Sequence, residues 1–421
     1  MANIPAEPVI DSTLGLLFDG YEFISKRCDR LQTDIFQTRL RLEKTICMRG
    51  KAAAEVFYDT DKFSRKDAAP KRMQKTLLGE GGVQGLDGEA HRQRKQIFMG
   101  LMTPERLQQI GDLVLHHCRE YAQQWERQNQ VVLFDQINEI LCRAVCTWSG
   151  VPLAEGEVAQ RTLELAALID SAAALGFRHV QGVQARKRLE AWLADLIEDI
   201  RAGRLQVPEH TAAAAFAHSQ DANGNRLSPA IAAVDLLNVL RPTVAIGRYI
   251  VFAALALHQH PDCRQKLQSN PADYTLLFTQ EVRRFYPFFP FAAARTRQAF
   301  DWQDYRFSES TLVLLDLYGT NHDSNLWEKP EEFWPERFMH WDGSAFDFIP
   351  QGGGDHYKNH RCAGEWLTIE VMNRVLGFLA NELEYDVPPQ DLQIKLTRMP
   401  TLPESKFVIS NVRLRPQDKP L

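Results

Sequence analysis

Phe348-Ile-Pro-Gln-Gly-Gly-Gly-Asp-His-Tyr-Lys-Asn-His-Arg-Cys362-Ala-Gly-Glu365 sets one cysteine at the end of a glycine-rich, cation-bearing loop, directly before an apolar helical pattern from Trp366 to Leu379. Glycines let backbone approach a flat cofactor closely. A helix N-terminus and a neighbouring cation such as Arg361 are expected to lower the thiol pKa and favour the thiolate that ligates metal. The stretch alone accommodates two readings, a thiolate-ligated haem and a buried structural cysteine at a helix start, and its context decides between them.

The 421 residues, 44% hydrophobic and 24% charged, suffice for a large globular core. A formal charge of -5 carries no basic excess, so nucleic acid is not an expected partner. No uninterrupted apolar run approaches the length of a membrane span, and Met1 to Asp19 is broken by Glu7 and Asp11, so a soluble, intracellular protein without a transmembrane segment is expected. Seven cysteines, at 28, 47, 118, 142, 146, 263 and 362, are an odd number without zinc-cluster spacing, and are read as reduced thiols. Cys142 and Cys146, four apart in an apolar helix, read as small core residues.

Helical periodicity dominates: Leu107 to Trp125, Leu133 to Trp148, Glu155 to Leu168, Gln184 to Arg201, Pro229 to His258, Cys263 to Gln268, Tyr274 to Phe285 and Trp366 to Leu379. Short strand-like runs at Trp302 to Phe307, Thr311 to Leu315, Gln393 to Leu396 and Phe407 to Val412 add small sheets. The expected fold is mainly α with small β-sheets, one domain over 1–421.

Three further constellations give the cysteine its context. Glu281-Val-Arg-Arg284 places a carboxylate and a guanidinium on one helical face, and Phe333-Trp-Pro-Glu-Arg337-Phe338 brings a second arginine in a proline-bounded aromatic segment. Near the centre of the run Pro229 to His258 lies Asn238-Val-Leu-Arg241-Pro242-Thr243. An interior proline removes a backbone bond, and an arginine in an apolar run calls for an anionic partner. The same pattern also fits a boundary between two shorter helices with Arg241 at the surface. Leu77-Leu78-Gly-Glu-Gly-Gly-Val-Gln84-Gly-Leu-Asp-Gly88 is a glycine loop, followed by His91, Arg94 and Lys95 on a helix. These cations, with His356, Lys358, His360 and Arg361 of the cysteine loop, are candidates to meet carboxylates such as haem propionates, or simply face solvent. Leu78, Phe288, Phe289 and Phe291 are candidate apolar walls, or plain core.

In their order along the chain, Glu281-x-x-Arg284, Pro335-Glu336-Arg337-Phe338 and the Phe348 loop with Arg361-Cys362-x-Gly364 resemble the cytochrome P450 family over nearly the whole sequence. The resemblance implies the P450 fold, haem b, Cys362 as the proximal iron ligand, and Glu281, Arg284 and Arg337 as a structural triad behind the cysteine loop. One departure is the loop itself, which reaches its cysteine later than in the family. Where the family's monooxygenases carry an acid and an alcohol over the haem, this chain has Arg241 and Pro242, a replacement that resembles the bacterial fatty-acid peroxygenase branch. That branch implies a carboxylate held by Arg241, itself serving as acid and base toward hydrogen peroxide, with Pro242 opening the helix. Gln84 is placed over the haem where alkene-forming relatives tend to carry histidine, which implies hydroxylation at the α or β carbon with decarboxylation to terminal alkenes secondary. Leu78 stands where relatives often have phenylalanine. The expected partners are a long-chain fatty acid and hydrogen peroxide, without a redox protein, in the bacterial cytoplasm. Two alternatives stand beside this: a conventional monooxygenase fed by NAD(P)H-linked partners, and a non-catalytic haem sensor.

Overall fold

Helices form where apolar residues recur every three to four positions, and their starts follow local capping chemistry. Ser228 accepts a hydrogen bond from Ile231 N with Pro229 in the first turn, and Thr103 with Pro104 does the same for Arg106 N. The computed structural model describes residues 3–174 and 176–415. Its main helices are Pro104–Trp125, Leu133–Ser149, Val158–Asp170, Phe177–Arg201, Pro229–Ala245, Gly247–Gln259, Pro271–Phe285 and Glu365–Gly377. The large core cluster they share runs in sequence from Val83 to Val412.

Pro229–Ala245 is the axis of this core, packed against the helices at 133–149, 158–170 and 177–201. From Ala232 to Ala245 every residue except Pro242 is buried. Together with Gly247–Gln259 it is long and apolar enough to cross a membrane, but 94% of its most apolar window is buried inside the fold, so its hydropathy is that of a core helix. The two readings of the Arg-Pro segment resolve into a combination. The helix does break, but at Ile246, four residues beyond Pro242, and Arg241 lies inside at 7% exposure.

A five-stranded sheet flanks the helices. The antiparallel hairpin Ile35–Leu40 and Glu43–Met48 joins Leu312–Asp316 in parallel, which then pairs with Phe291–Thr296 and, through it, Phe63–Ser64. This hairpin was not expected from the sequence, because its turn residues Arg41 and Leu42 adopt φ of 54° and 63° without the Asn-Gly or Asp-Gly signature that advertises such a turn. Gln130–Val132, Val408–Leu414 and Leu383–Asp386 form a second sheet. The expected strand Gln393 to Leu396 is not one: Ile394 makes an isolated bridge to Pro403 and the segment is otherwise irregular. All seven cysteines are unpaired, with Cys142 and Cys146 in the core.

Candidate active site

The cysteine loop is fixed at both ends of its extra length. Cys362 N donates to Gln351 O at 3.1 Å, so the residues between form a side excursion that leaves the cysteine in place. Inside the excursion, Asp355 Oδ1 accepts from Tyr357 N and Lys358 N at 2.9 Å each, and Asn359 Nδ2 donates to Tyr58 O at 2.8 Å. The longer loop is therefore a self-closed turn pinned to the neighbouring helix end. Gln351 also donates from Nε2 to Cys362 Sγ at 3.7 Å and to Thr368 Oγ1 at 3.1 Å, while accepting from Arg283 Nε at 3.2 Å.

Glu365, in the first turn of the helix after the cysteine, gathers the charges of this loop. It receives Arg283, His356 Nε2 at 3.0 Å and Arg361 Nε at 2.6 Å. Against burial, which opposes ionisation, Arg283, His356 and Arg361 hold its carboxyl well below the usual range. Arg361 also donates from Nη1 to Gly354 O at 3.2 Å, so the structure corrects its expected place: its guanidinium braces the loop through Glu365 and Gly354. Lys358 is likewise displaced from that role, exposed at the tip of the turn, where its charge acts on Asp355. The expected lowering of the Cys362 pKa is also corrected. Burial pushes the thiol up, against the pull of Lys95 and Arg283, and a bound metal is what deprotonates such a thiol outright.

Behind the loop, Glu281 accepts from Arg284 Nε and Nη2 at 2.8 Å each, from Arg337 Nε at 3.3 Å and from Trp334 N at 2.8 Å. Both Glu281 and Arg284 are at 0% exposure. Arg284 Nη1 donates to Asn321 O at 2.9 Å, and Asn321 Oδ1 accepts from Ile349 N at 3.0 Å, which carries the triad's rigidity to the root of the cysteine loop. A buried carboxylate removed from two guanidiniums leaves both uncompensated, at about 3–5 kcal/mol. Glu281→Ala is expected to lower folding stability by that order and to impair retention of haem, checked by denaturant titration; a loss under about 1 kcal/mol would contradict this role.

On the other side of Cys362, one amide organises the residues singled out from the sequence. Asn238 Oδ1 accepts from Arg241 Nη2 at 3.3 Å, and its Nδ2 donates to Gln84 Oε1 at 3.1 Å and to Leu78 O at 2.9 Å. The orientation follows from chemistry, since guanidinium has no acceptor and a carbonyl no donor. Sequence reading missed Asn238 as an actor, although its spacing of three from Arg241 was a signal that both share a face. Among the described residues Arg241 meets no carboxylate: Asn238 is its side-chain partner, and its Nε is buried without one. Burial, then the nearby Arg186 cation, push it down to about 9, which leaves it charged at neutral pH, while the Cys362 thiolate pulls it up. The glycine loop carrying Gln84 is clipped to the same helix by Val83 N, which donates to Asp235 Oδ1 at 3.2 Å, and by Arg94, which pairs with Asp235 and so is not among the free cations.

An apolar cluster of Leu77, Ile169, Ala172 and Ala245, with Met73, Leu78 and Phe288 against it, ends one helical turn from Arg241. Phe288 stacks on Tyr249 at 4.2 Å. Phe289 is instead exposed, and Phe291 packs in the cluster under the hairpin sheet, so neither joins Leu78 and Phe288 in this wall. His91 stacks on His360 at 3.8 Å, and burial pushes them down to about 4 and about 3, so both are neutral N–H donors at neutral pH rather than cations. Lys95 Nζ donates to Arg361 O next to the cysteine, and burial pushes it down to about 8.

These residues suit a haem. Cys362 keeps accessible surface and lies close enough to Arg241 for a thiolate there to act on the guanidinium. Soft sulfur on one face is the donor that thiolate haem proteins use. Lys95 and the two histidines are N–H donors of the kind that carboxylates such as propionates accept from.

A model of the cytochrome P450 family matches residues 255–410. The putative cytochrome P450 120 of Synechocystis sp. (strain ATCC 27184 / PCC 6803 / Kazusa) is 25% identical, over 93% of this chain and 92% of its own. Among solved structures, a variant of cytochrome P450SP alpha (CYP152B1) is 51% identical over 96% of this chain and 99% of its own, with a TM-score of 0.94. Cytochrome P450EX alpha (CYP152N1), solved with myristic acid, is 46% identical over 99% of this chain and 100% of its own, with a TM-score of 0.95. A variant of cytochrome P450 OleT, solved with arachidonic acid, is 37% identical with a TM-score of 0.96 over 99% of this chain and 100% of its own. At 51% identity over nearly the whole length of both chains, this chain belongs to the cytochrome P450 family, in the fatty-acid peroxygenase branch that its Arg241-Pro242 pair resembles.

Proposed function

We propose that the protein is a haem-thiolate peroxygenase that uses hydrogen peroxide to oxidise long-chain fatty acids at the α or β carbon, mainly to hydroxy acids. The observation that carries this reading is Arg241, a buried guanidinium that meets no carboxylate among the described residues, beside a proline and one helical turn from an apolar cluster. A buried cation without a counter-charge is costly, and a substrate carboxylate that pairs with it removes the cost.

When bound, haem b would be held by Cys362 and would supply the iron chemistry toward peroxide, with the thiolate donor favouring O–O cleavage. Arg241 orients the carboxylate with the acyl chain running along Leu78, Phe288 and Ala245. The bound carboxylate is then the titratable oxygen in the chamber that takes a proton from peroxide and returns it, because Arg241 stays charged and Pro242 has no hydroxyl. With its Oε1 accepting from Asn238 Nδ2, Gln84 has N–H to offer a bound substrate. A neutral amide donates a hydrogen bond but no proton, which favours hydroxylation over decarboxylation.

Purified protein, hydrogen peroxide and a fatty-acid series, analysed by mass spectrometry without reductase, test this directly. Hydroxy acids at α or β are expected; product formed only with NADPH and redox proteins would identify a conventional monooxygenase. Asn238→Asp supplies a second test. Its carboxylate sits where Oδ1 now accepts from Arg241, so it pairs with the guanidinium and competes with the substrate from within the chain. Fatty-acid turnover is expected to fall about 100-fold, the equivalent of about 3 kcal/mol for a bond to a charged group. Unchanged KM and kcat would place Asn238 outside the site.

A further inference from the structure

The helix Thr13–Asp19 buries none of its residues, yet four of its seven side chains are leucine or phenylalanine. Leu14 and Phe18, one turn apart, are 67% and 75% exposed, and Ile10 just before them is 82% exposed. So short a helix is marginal on its own, and it is tied to the hairpin turn: Thr13 Oγ1 accepts from Arg41 N at 2.6 Å, and Asp11 Oδ2 accepts from Leu42 N. Leu42 is itself 67% exposed, which extends the apolar patch onto the turn. Patches of this kind mark interaction sites.

The surround is cationic although the chain as a whole carries -5. Arg39, Arg41, Lys44, Lys71 and Lys75 are exposed and form no ion pair among the described residues. Arg39 and Lys44 are direct cross-strand partners, a like-charge pair that destabilises the hairpin unless an anion neutralises it. The face also leads inward. Arg41 lies close enough to Arg72 to repel it, Arg72 holds Ala173 O and Ala174 O at 2.7 and 2.8 Å, and the next residue, Met73, begins the apolar cluster that ends beside Arg241.

We propose that this face docks on an anionic lipid surface, with Ile10, Leu14, Phe18 and Leu42 in the interfacial layer and the cations on the headgroups, so that acyl substrates enter the channel from the membrane. The route inward rests on the fatty-acid reading; the docking itself does not. Apolar side chains at the headgroup boundary with a basic rim are the chemistry of interfacial binding.

Co-sedimentation of the haem-loaded enzyme with phosphatidylglycerol/phosphatidylcholine vesicles, against phosphatidylcholine alone, is the test. Binding to the anionic vesicles, weakened by salt, is expected. Leu14→Ser with Phe18→Ser should weaken it about tenfold or more, and Arg41→Glu with Lys44→Glu should remove the preference for anionic lipid, at about fivefold per charge. Thermal melting of each variant separates these losses from unfolding. No binding, or binding equal in all variants, overturns the proposal. So does self-association that the serine substitutions disperse without any vesicle binding, which would make the face a contact between copies. Vesicle binding by a protein that oxidises no fatty acid would keep the docking surface and defeat the substrate reading instead.

Discussion

Arg241→Ala is expected to lower kcat/KM for peroxide-driven fatty-acid oxidation by about 10³-fold or more. Two losses combine. Truncating one partner of a buried charged contact costs about 2–5 kcal/mol, or about 30- to 5,000-fold in binding. The carboxylate that Arg241 would hold is also the acid and base, and general acid–base catalysis contributes about 10²- to 10⁴-fold. The terms overlap, since an unanchored carboxylate forfeits both at once. Arg241→Lys keeps the charge but loses the planar fork that matches a carboxylate, so an intermediate rate with raised KM is expected. Stability should move the other way. Among the described residues Arg241 has no partner for its buried Nε and no carboxylate, so its removal is not expected to lower the melting temperature of the substrate-free protein. Activity within tenfold of the parent in Arg241→Ala would sink the carboxylate reading.

Cys362→Ala is expected to abolish the thiolate signature of the reduced, carbon monoxide-bound protein and to reduce turnover below detection. The fold should survive, because the thiol makes one weak side-chain contact, Gln351 Nε2 at 3.7 Å, and the loop is held by the Cys362 N to Gln351 O bond that alanine retains. A stability change of about 1 kcal/mol or less is therefore expected by denaturant titration. The contrast with Glu281→Ala is informative: one substitution removes the ligand and keeps the scaffold, the other keeps the ligand and loosens the scaffold. A thiolate signature that persisted in Cys362→Ala would point to one of the other six thiols, of which Cys28, Cys47, Cys118, Cys142 and Cys146 are buried.

Within the cysteine loop, sequence reading placed Cys362 directly before its helix but misjudged the side chains around it. Arg361 is adjacent to Cys362 in the chain, and adjacency suggested a cation for the sulfur or a propionate. In the fold its side chain turns to Glu365, four residues on, because a helical carboxylate at that spacing is the nearest anion. The cations that act on the thiol are Lys95 and Arg283, which are remote in sequence. The same holds for the distal side. Arg241 and Pro242 announced themselves as misfits in an apolar helix, and Gln84 and Leu78 by resemblance. That one amide, Asn238, joins three of them was hidden, because a single asparagine in an apolar run reads as a tolerated polar residue until the partners across the chain are known.

By itself the sequence determined the helical architecture, the cysteine at the head of its helix, the Glu281, Arg284 and Arg337 set, and the arginine in the axial helix. Each is written in local periodicity or in a residue type that its neighbours cannot accommodate without a partner. Only the tertiary structure decided which cations are spent on Glu365 and Asp235, that His91 and His360 stack as neutral rings, that Phe289 is exposed, outside the apolar cluster of Leu78 and Phe288, and that Ile10, Leu14, Phe18 and Leu42 stand exposed. Those outcomes depend on burial and on pairings between elements scores of residues apart. Both set the charge state and accessibility of a side chain, and neither is fixed by the residues next to it.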